Sequence, residues 1–273
     1  MRNDHTKVRA VFANGIWKSG NHLLLKLCDK LGFPLAGSGI AASSINGNFK
    51  FVRKLVRGPL LNHSSVNIGL EQPIQVSNWW LNNQFDKSAG CTIGGHAAYS
   101  KDFLEILLRQ KVRTILMVRD PRDIVVSYAR WIDTRRDEYW QKCLAPLSLE
   151  DRMFSIIQGF EGSAGRFDSL ATVLDRASGW LHQPEVLVVR FENLVGENGG
   201  GTNQAQLNEL VRVVNWLGVT DVDIESVQNS LFGGTKTFHS GQVGAWQNSF
   251  TPEVLKVFEE VVGQARMQEW SYE

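Results

Sequence analysis

Residues 14–23 read Asn-Gly-Ile-Trp-Lys-Ser-Gly-Asn-His-Leu. An apolar run at 8–13 precedes this stretch, and an amphipathic run that continues to Leu31 follows it. The pattern predicts a strand, a tight loop and a helix. Backbone N–H groups and the positive end of the helix would then converge beside Lys18, which favours the binding of an anion such as phosphate.

This loop differs from the phosphate-binding loop of ATPases and GTPases. The pattern G-x-x-x-x-G-K-[ST] requires glycine at two positions that hold Phe12 and Trp17 here. The turn Lys18-Ser19-Gly20 is a weak signal by itself, because a lysine that precedes a helix is usually solvated. The sequence therefore disfavours a Walker-type enzyme and leaves other phosphate-binding folds open.

Two further apolar runs, at 112–118 and 186–191, are nearly continuous, which is typical of strands covered on both faces. Helical patterns separate the runs, at 20–31, 101–110, 121–131, 150–160, 166–179 and 204–217. The alternation predicts an α/β fold in which a central, mostly parallel sheet is flanked by helices around a P-loop-like nucleotide-binding core. We expect one domain over residues 1–273.

Composition narrows the class of protein. The chain has 273 residues, 43% of them hydrophobic, and a net charge of +1 without a basic block, so we expect no nucleic-acid partner. Cys28, Cys91 and Cys143 lie far apart, which disfavours a zinc site and a disulfide framework. With no apolar leader and no run of membrane-spanning length, the sequence predicts a cytoplasmic protein without a membrane partner or a metal.

A second candidate anion site lies in mid-chain. Arg119 ends the run at 112–118, and Asp120 with Pro121 marks a helix start directly after it. Ser127 would lie on the second turn of that helix, where it and Arg119 could grip one phosphate from two sides. Pairing of Arg119 with Asp120 or Asp123 is an equally good interpretation of the spacing.

Four segments resemble, in their order along the chain, motifs of the cytosolic-type sulfotransferases that use 3′-phosphoadenosine 5′-phosphosulfate (PAPS). They are residues 17–23 (Pro-Lys-Ser-Gly-Thr-Thr-Trp in the family), residues 119–128 (Arg-Asn-Pro-(Lys/Arg)-Asp-x-x-x-Ser-Tyr), residues 191–194 (Tyr-Glu-Asp-Leu) and residues 239–247 (Arg-Lys-Gly-x-x-Gly-Asp-Trp-Lys). The mid-chain match is the most specific, and the last two are partial. The resemblance implies transfer of a sulfuryl group from PAPS to a hydroxyl or amine of a small-molecule acceptor, without a metal.

The resemblance also implies roles for individual residues. The 5′-phosphosulfate would be held by Lys18, Ser19, Gly20, Asn21 and His22. The 3′-phosphate would be held by Arg119 and Ser127, with Ser240 and Gly241 closing over it. Lys18 would also stabilise charge on the leaving oxygen. Gly94-Gly95-His96 stands where the family has Lys-Thr-His, which makes His96 the expected general base and His22 its competitor.

The chain departs from the family at several positions. His239 and Ser240 replace an Arg-Lys pair, Leu23 replaces a tryptophan that stacks on adenine, and Gly94 replaces a lysine. Two alternatives stay open. The P-loop-like core also fits a small-molecule or nucleotide kinase, and the lost cations at positions 239, 240 and 94 fit a non-catalytic relative that only binds 3′-phosphoadenosine 5′-phosphate (PAP). The acceptor is less defined. Aromatic residues that could line an apolar pocket for it, and for which core packing or lid contact is an equally good interpretation, are Trp79, Trp80, Phe85, Trp131, Tyr139 and Trp140.

Overall fold

Four parallel strands form the centre of the fold. The computed structural model describes residues 8–37, 39–41, 50–58, 64–134, 139–162, 165–232 and 242–273. Its strands are β1 (Ala10–Gly15), β2 (Ser65–Asn67), β3 (Gln75–Ser77), β4 (Thr92–Gly95), β5 (Val112–Val118), β6 (Phe160–Gly162), β7 (Gly165–Phe167) and β8 (Val186–Arg190). The central sheet has the order β4-β1-β5-β8, and β2–β3 and β6–β7 are antiparallel pairs. Because the four central strands run in one direction, their carboxyl ends meet at one edge, which we call the C-terminal edge.

Helices follow most of the strands and cover both faces of the sheet. They are α1 (Asn21–Lys30), α2 (Lys50–Arg57), α3 (Asn78–Lys87), α4 (Lys101–Arg109), α5 (Pro121–Trp131), α6 (Tyr139–Leu144), α7 (Leu149–Gln158), α8 (Leu170–Ser178), α9 (Phe191–Leu194), α10 (Asn203–Leu217), α11 (Ile224–Leu231), α12 (Pro252–Val261) and α13 (Gly263–Glu269). Short 3-10 helices lie at Ile132–Thr134, Glu197–Gly199 and Ala245–Asn248. Within the described ranges, no helix combines the length and the apolarity needed to cross a lipid bilayer.

Hydrophobic packing on both faces fixes the sheet. All six residues of β1 are buried, and its side chains alternate between two cores. Phe12 packs against Phe103 with ring centroids 5.4 Å apart and lies 6.4 Å from Trp180 in one core. Val11 and Ala13 belong to the other core, with residues of α1 and α10. The prediction of strands covered on both faces is confirmed.

The sequence prediction differs from the structure mainly at element ends. The predicted strands are present, with the first displaced to Ala10–Gly15. The fourth central strand, β4, was not predicted because Thr-Ile-Gly-Gly is too short and too glycine-rich to show a pattern. The predicted helix at 166–179 is wrong at its start, since residues 166 and 167 belong to β7 and the Ser169 side chain caps α8.

Candidate active site

The loop at residues 16–20 joins β1 to α1 at the C-terminal edge. Lys18 (φ 62°) and Gly20 (φ 103°) have left-handed backbone conformations, and the Ser19 hydroxyl donates to the Ile16 carbonyl at 2.7 Å. Gly20 is the N-cap of α1, and no side chain caps this end of the helix. The positive end of the α1 dipole therefore faces the loop without a competing side-chain acceptor.

Gly20 is also required by its neighbour. A Cβ atom at this position would collide with the ring of Phe191, the first residue after β8. The same ring lies 4.4 Å from the guanidinium of Arg119. The loop and α9 can thus be in close contact only because residue 20 is a glycine. The Phe191 ring contacts both the loop and Arg119.

Arg119 follows β5 and is buried at 5% exposure. Its Nη1 donates to the Lys18 carbonyl at 3.2 Å, and its Nη2 donates to the Gln242 carbonyl at 3.0 Å. Nη2 also lies 3.8 Å from the Asp123 carboxylate, while Nε has no hydrogen-bond partner among the described residues. Burial lowers the pKa of Arg119, and the nearby carboxylates oppose that shift.

The two expected anion contacts, the 16–20 loop and Arg119, therefore meet at one place. Ser127 is half-buried on α5, and its hydroxyl has no hydrogen-bond partner in the described part of the chain. His22 is exposed on the first turn of α1. Ser240 and Gly241 lie outside the described residues, so their expected role stays a prediction.

His96 follows β4 directly and lies beside the end of β1. Its Nδ1 is 2.7 Å from the Gly15 carbonyl oxygen. Because a carbonyl only accepts, Nδ1 carries the proton in this contact and Nε2 keeps its lone pair. Desolvation of the half-buried ring lowers the pKa of His96, the hydrogen bond to the Gly15 carbonyl opposes this shift, and the Lys18 ammonium lowers the pKa again, so the ring is neutral near pH 7.

Two carboxylates that were not predicted as site residues lie near Arg119: Asp123 is buried and Glu192 is half-buried. Asp123 accepts the N–H groups of Gly244 at 2.8 Å and Trp246 at 3.0 Å, which docks residues 242–248 on α5. Glu192 accepts the Asp120 N–H at 2.8 Å. Burial raises the pKa of both carboxyl groups. Only the spacing of Asp123 from Arg119, one helical turn, signalled either of them in the sequence.

The aromatic candidates for an acceptor wall divide by burial. The Lys18 ammonium lies 5.2 Å from the ring of the half-buried Trp131. Phe85 is fully buried against Phe12 and Phe103, and Trp80 is 3% exposed, so the assignment of these two to an acceptor wall is wrong. Trp79 is 56% exposed on α3. The side chains of Tyr139 and Trp140 lie outside the described residues.

Trp17, which the sequence placed near the nucleotide loop, is a core residue. Its ring is 6% exposed and packs 4.5 Å from the Tyr128 ring and 5.6 Å from the Phe167 ring. Leu23 is buried in the core on the other face of the sheet. Among the described residues, no group of three or more His, Cys, Asp or Glu side chains is arranged to hold a metal ion.

Comparison with known proteins identifies the fold. No family model and no curated protein matches the sequence. The structure is similar to mouse sulfotransferase SULT7A1 complexed with PAP, with 16% identity and a TM-score of 0.59 over 96% of this chain and 85% of that chain. It is also similar to retinol dehydratase, solved with retinol and PAP (13% identity, TM-score 0.56) and with androsterone and the inactive cofactor PAP (13%, 0.57), over 98% of this chain and 83% of that chain in both cases. The chain has the α/β fold of the cytosolic-type sulfotransferases, as its motifs predicted.

Proposed function

We propose that this protein is a PAPS-dependent sulfotransferase that modifies a hydroxyl or amine of a small-molecule acceptor. One observation carries the proposal: the 16–20 loop, His96 and Arg119 converge at the C-terminal edge of the sheet. They do so in a fold whose solved examples include complexes with PAP. Ligands bind at this edge in open α/β sheets.

The residues at the edge suit a polyanion. The Arg119 guanidinium has five N–H donors, of which the carbonyls of Lys18 and Gln242 take two, and its buried Nε has no partner among the described residues. The N-terminus of α1, where the helix dipole is positive, also lies at this edge, and no side chain caps it. Both features favour phosphate or sulfate groups.

The proposal assigns the donor contacts as the motif resemblance implies. The 5′-phosphosulfate would be held by Lys18, Ser19, Gly20, Asn21 and His22. The 3′-phosphate would be held by Arg119 and Ser127, together with Ser240 and Gly241. PAPS, when bound, supplies the sulfuryl group and carries away the electron pair of the broken S–O bond as PAP.

His96 is the general base of the proposal. Its Nε2 would take the proton from the acceptor oxygen or nitrogen as that atom bonds to sulfur. The Gly15 carbonyl holds the Nδ1-protonated tautomer, and the lowered pKa keeps the ring neutral and able to accept. Lys18, on the adjacent loop, would stabilise the negative charge that develops on the leaving oxygen.

The acceptor is inferred only as a class. Retinol dehydratase is solved with retinol and with androsterone, which are both small apolar alcohols. In this chain the half-buried Trp131 lies beside the Lys18 ammonium. We infer that Trp131 contributes to an apolar wall against which a small alcohol, phenol or amine is oriented.

Calorimetry with PAP tests the donor site. We expect micromolar binding by the native chain and at least tenfold weaker binding by Arg119→Ala and Lys18→Ala, about 1.4 kcal/mol or more. The matched controls are Arg113→Ala and Lys111→Ala, which remove exposed cations at the opposite edge of the sheet, where β5 begins, and should bind normally; Lys111 also shares the left-handed backbone of Lys18. Absence of PAP binding by the native chain would refute the proposal.

Transfer of labelled sulfate from PAPS to a panel of alcohols, phenols and amines tests the chemistry. We expect His96→Ala to bind PAP normally and to lose transfer, and Lys18→Ala to lose about 3 kcal/mol of transition-state stabilisation. Binding of PAP without transfer to any acceptor would favour the non-catalytic alternative. A strict requirement for Mg²⁺ with ATP as donor would favour a kinase.

A further inference from the structure

We propose that Asn14 is the positioning residue of His96, and that it acts with Trp180 through one shared carbonyl, that of Ala97. The assignment of His96 as a base rests on the proposed function. The role of Asn14 in fixing the orientation and tautomer of the His96 ring follows from its hydrogen bonds to Ala97 and from the contact between His96 and Gly15. Nothing in the motif resemblance pointed to Asn14 or Trp180.

Asn14 continues the strand pairing beyond the point where the backbone can do so. The β1–β4 ladder ends with Asn14 opposite Gly95. Beyond it, the Asn14 Nδ2 donates to the Ala97 carbonyl at 3.0 Å, and the Ala97 N–H donates to the Asn14 Oδ1 at 2.9 Å. A side-chain amide offers the same donor and acceptor as a peptide group, so it extends the ladder past His96.

Trp180 fixes the same peptide from the core. Its Nε1 donates to the Ala97 carbonyl at 3.0 Å, so this oxygen accepts from two buried side chains. The Trp180 ring is fully buried and packs 5.7 Å from Phe103 and 5.2 Å from Tyr99. A ring held on several sides is a rigid donor, so the position of the Ala97 carbonyl is set by the core.

The backbone before His96 is held as well. The Asn21 Nδ2 donates to the Gly95 carbonyl at 2.9 Å, and the His96 N–H donates to the Ile40 carbonyl at 3.0 Å. With Asn14 at Ala97, hydrogen bonds fix the peptide groups on both sides of His96. The ring then has little freedom beyond rotation about its own side-chain torsions.

The geometry links these bonds to the ring. Gly15, whose carbonyl contacts Nδ1, is the residue after Asn14, and His96 is the residue before Ala97. The two hydrogen bonds between Asn14 and Ala97 therefore set the distance between the backbone of Gly15 and the backbone of His96. The His96 ring spans this distance, with its Nδ1 2.7 Å from the Gly15 carbonyl oxygen. Without these two hydrogen bonds, the Gly15 carbonyl and the His96 ring can move apart, and Nδ1 loses the acceptor that selects the tautomer of the ring.

Ring ¹⁵N chemical shifts of histidine-labelled protein test the inference without any acceptor. The His96 signals are assigned by their loss in His96→Gln. We expect the native chain to show the Nδ1-protonated form. In Asn14→Leu, which keeps the shape and removes both hydrogen bonds, the signals should shift toward the mixture of tautomers that a free imidazole shows.

Two further variants make the result specific. Gln206→Leu removes a comparable buried bond, from the Gln206 Nε2 to the Leu194 carbonyl at 2.9 Å, and should leave the His96 signals unchanged. Trp180→Phe removes the other donor to Ala97 and should shift the signals in the same direction by less. If Asn14→Leu fails to fold, Trp180→Phe decides the question.

Unchanged His96 signals in a folded Asn14→Leu protein, or in Trp180→Phe where Asn14→Leu does not fold, would overturn the inference. An equal shift in Gln206→Leu would also overturn it, since the effect would then be general loosening. PAP calorimetry separates this result from the proposed function. Lack of PAP binding by the native chain refutes the sulfotransferase, whereas the tautomer signals still decide whether Asn14 orients His96.

Discussion

Gly20 shows how one residue can determine the shape of the candidate donor loop. It has φ 103° and faces the Phe191 ring, so a side chain is unfavourable both for the backbone and for the contact. Left-handed backbone costs an L-residue about 1–2 kcal/mol. The collision adds to this cost and displaces the ring that lies under Arg119.

We therefore expect Gly20→Ala to lower the free energy of unfolding by about 2 kcal/mol or more and to weaken PAP binding. Gly32→Ala is the matched control, because Gly32 has φ 90° with no atom within 4 Å of a Cβ. It should show the backbone cost alone, with normal PAP binding. Equal unfolding free energies for the two variants in urea titrations would contradict the role of Phe191.

His96 gives a pH dependence whose sign follows from its environment. Its pKa is lowered from 6.5 in the folded chain, so just below pH 6.5 the unfolded chain takes up a proton that the folded chain does not. Stability contributed by the neutral ring is therefore lost as the pH falls below that value. Melting temperatures measured from about pH 8 to about pH 5 should fall less steeply for His96→Gln than for the native chain.

Gln206→Leu, which removes a buried side chain that does not titrate, is the control for this measurement and should keep the native slope. A native slope in His96→Gln would mean that the ring does not resist protonation in the folded state.

At the scale of elements, α5 joins the mid-chain motif to the segment at residues 242–248. Asp123, on its first turn, accepts two N–H groups of that segment, and Arg122 lies 4.1 Å from the Trp246 ring. Arg119, just before the helix, donates to the Gln242 carbonyl. The segment is thus attached to α5 by backbone hydrogen bonds to Asp123 and Arg119 and by the contact between Arg122 and the Trp246 ring.

Asp123→Ala should cost about 3 kcal/mol of stability, because it leaves the N–H groups of Gly244 and Trp246 without their acceptor and the Arg119 guanidinium without its buried ion-pair partner. Hydrogen exchange should become faster in peptides covering residues 242–248 and stay unchanged in α10. Asp175→Ala is the control, since the half-exposed Asp175 pairs with Arg266 at 2.7 Å and its loss should cost less than about 1 kcal/mol. Native exchange at residues 242–248 in Asp123→Ala would disprove the attachment.

At the scale of the whole molecule, the last residues of the chain return to the C-terminal edge of the sheet. Trp270 is buried, and the Tyr272 hydroxyl donates to Glu192 at 2.9 Å. The other oxygen of that carboxylate accepts the Asp120 N–H, next to Arg119. The Arg190 guanidinium lies 4.8 Å from the Tyr272 ring. Residues 80 positions apart, Tyr272 and Glu192, therefore hold the backbone next to the candidate phosphate ligand Arg119.

Tyr272→Phe should cost about 1.5 kcal/mol near neutral pH, because it removes a hydrogen bond to a charged group. Burial already raises the pKa of Glu192, and loss of the hydroxyl raises it further. The cost should therefore be largest at high pH, where Glu192 is ionised, and shrink as the pH falls and the carboxyl is protonated in both variants.

Urea titrations of the native chain and Tyr272→Phe at about pH 8 and about pH 5 measure the difference. Tyr99→Phe is the matched control, since the Tyr99 hydroxyl has no hydrogen-bond partner among the described residues and its ring packs on Trp180. A cost for Tyr272→Phe that is independent of pH would show that Glu192 is not the partner that matters.

The sequence by itself determined the local elements. Continuous apolar runs marked three central strands, and the capping residue Asp120 marked a helix start that the structure confirms, with its side chain accepting from the Arg122 N–H. The motif order also predicted the sulfotransferase fold. These features depend on neighbours within a few residues, so they are readable from sequence patterns.

Only the tertiary structure decided which distant residues meet. It paired β1 with the unpredicted β4, which placed His96 beside Gly15, and it brought Asp123, Glu192 and Tyr272 behind Arg119. It also assigned Phe85 and Trp80 to the core, although both were candidates for an acceptor wall in the sequence. The physical reason is that sheet order and buried hydrogen bonds are selected by packing over the whole chain, whereas periodicity and capping report only local conformational preference.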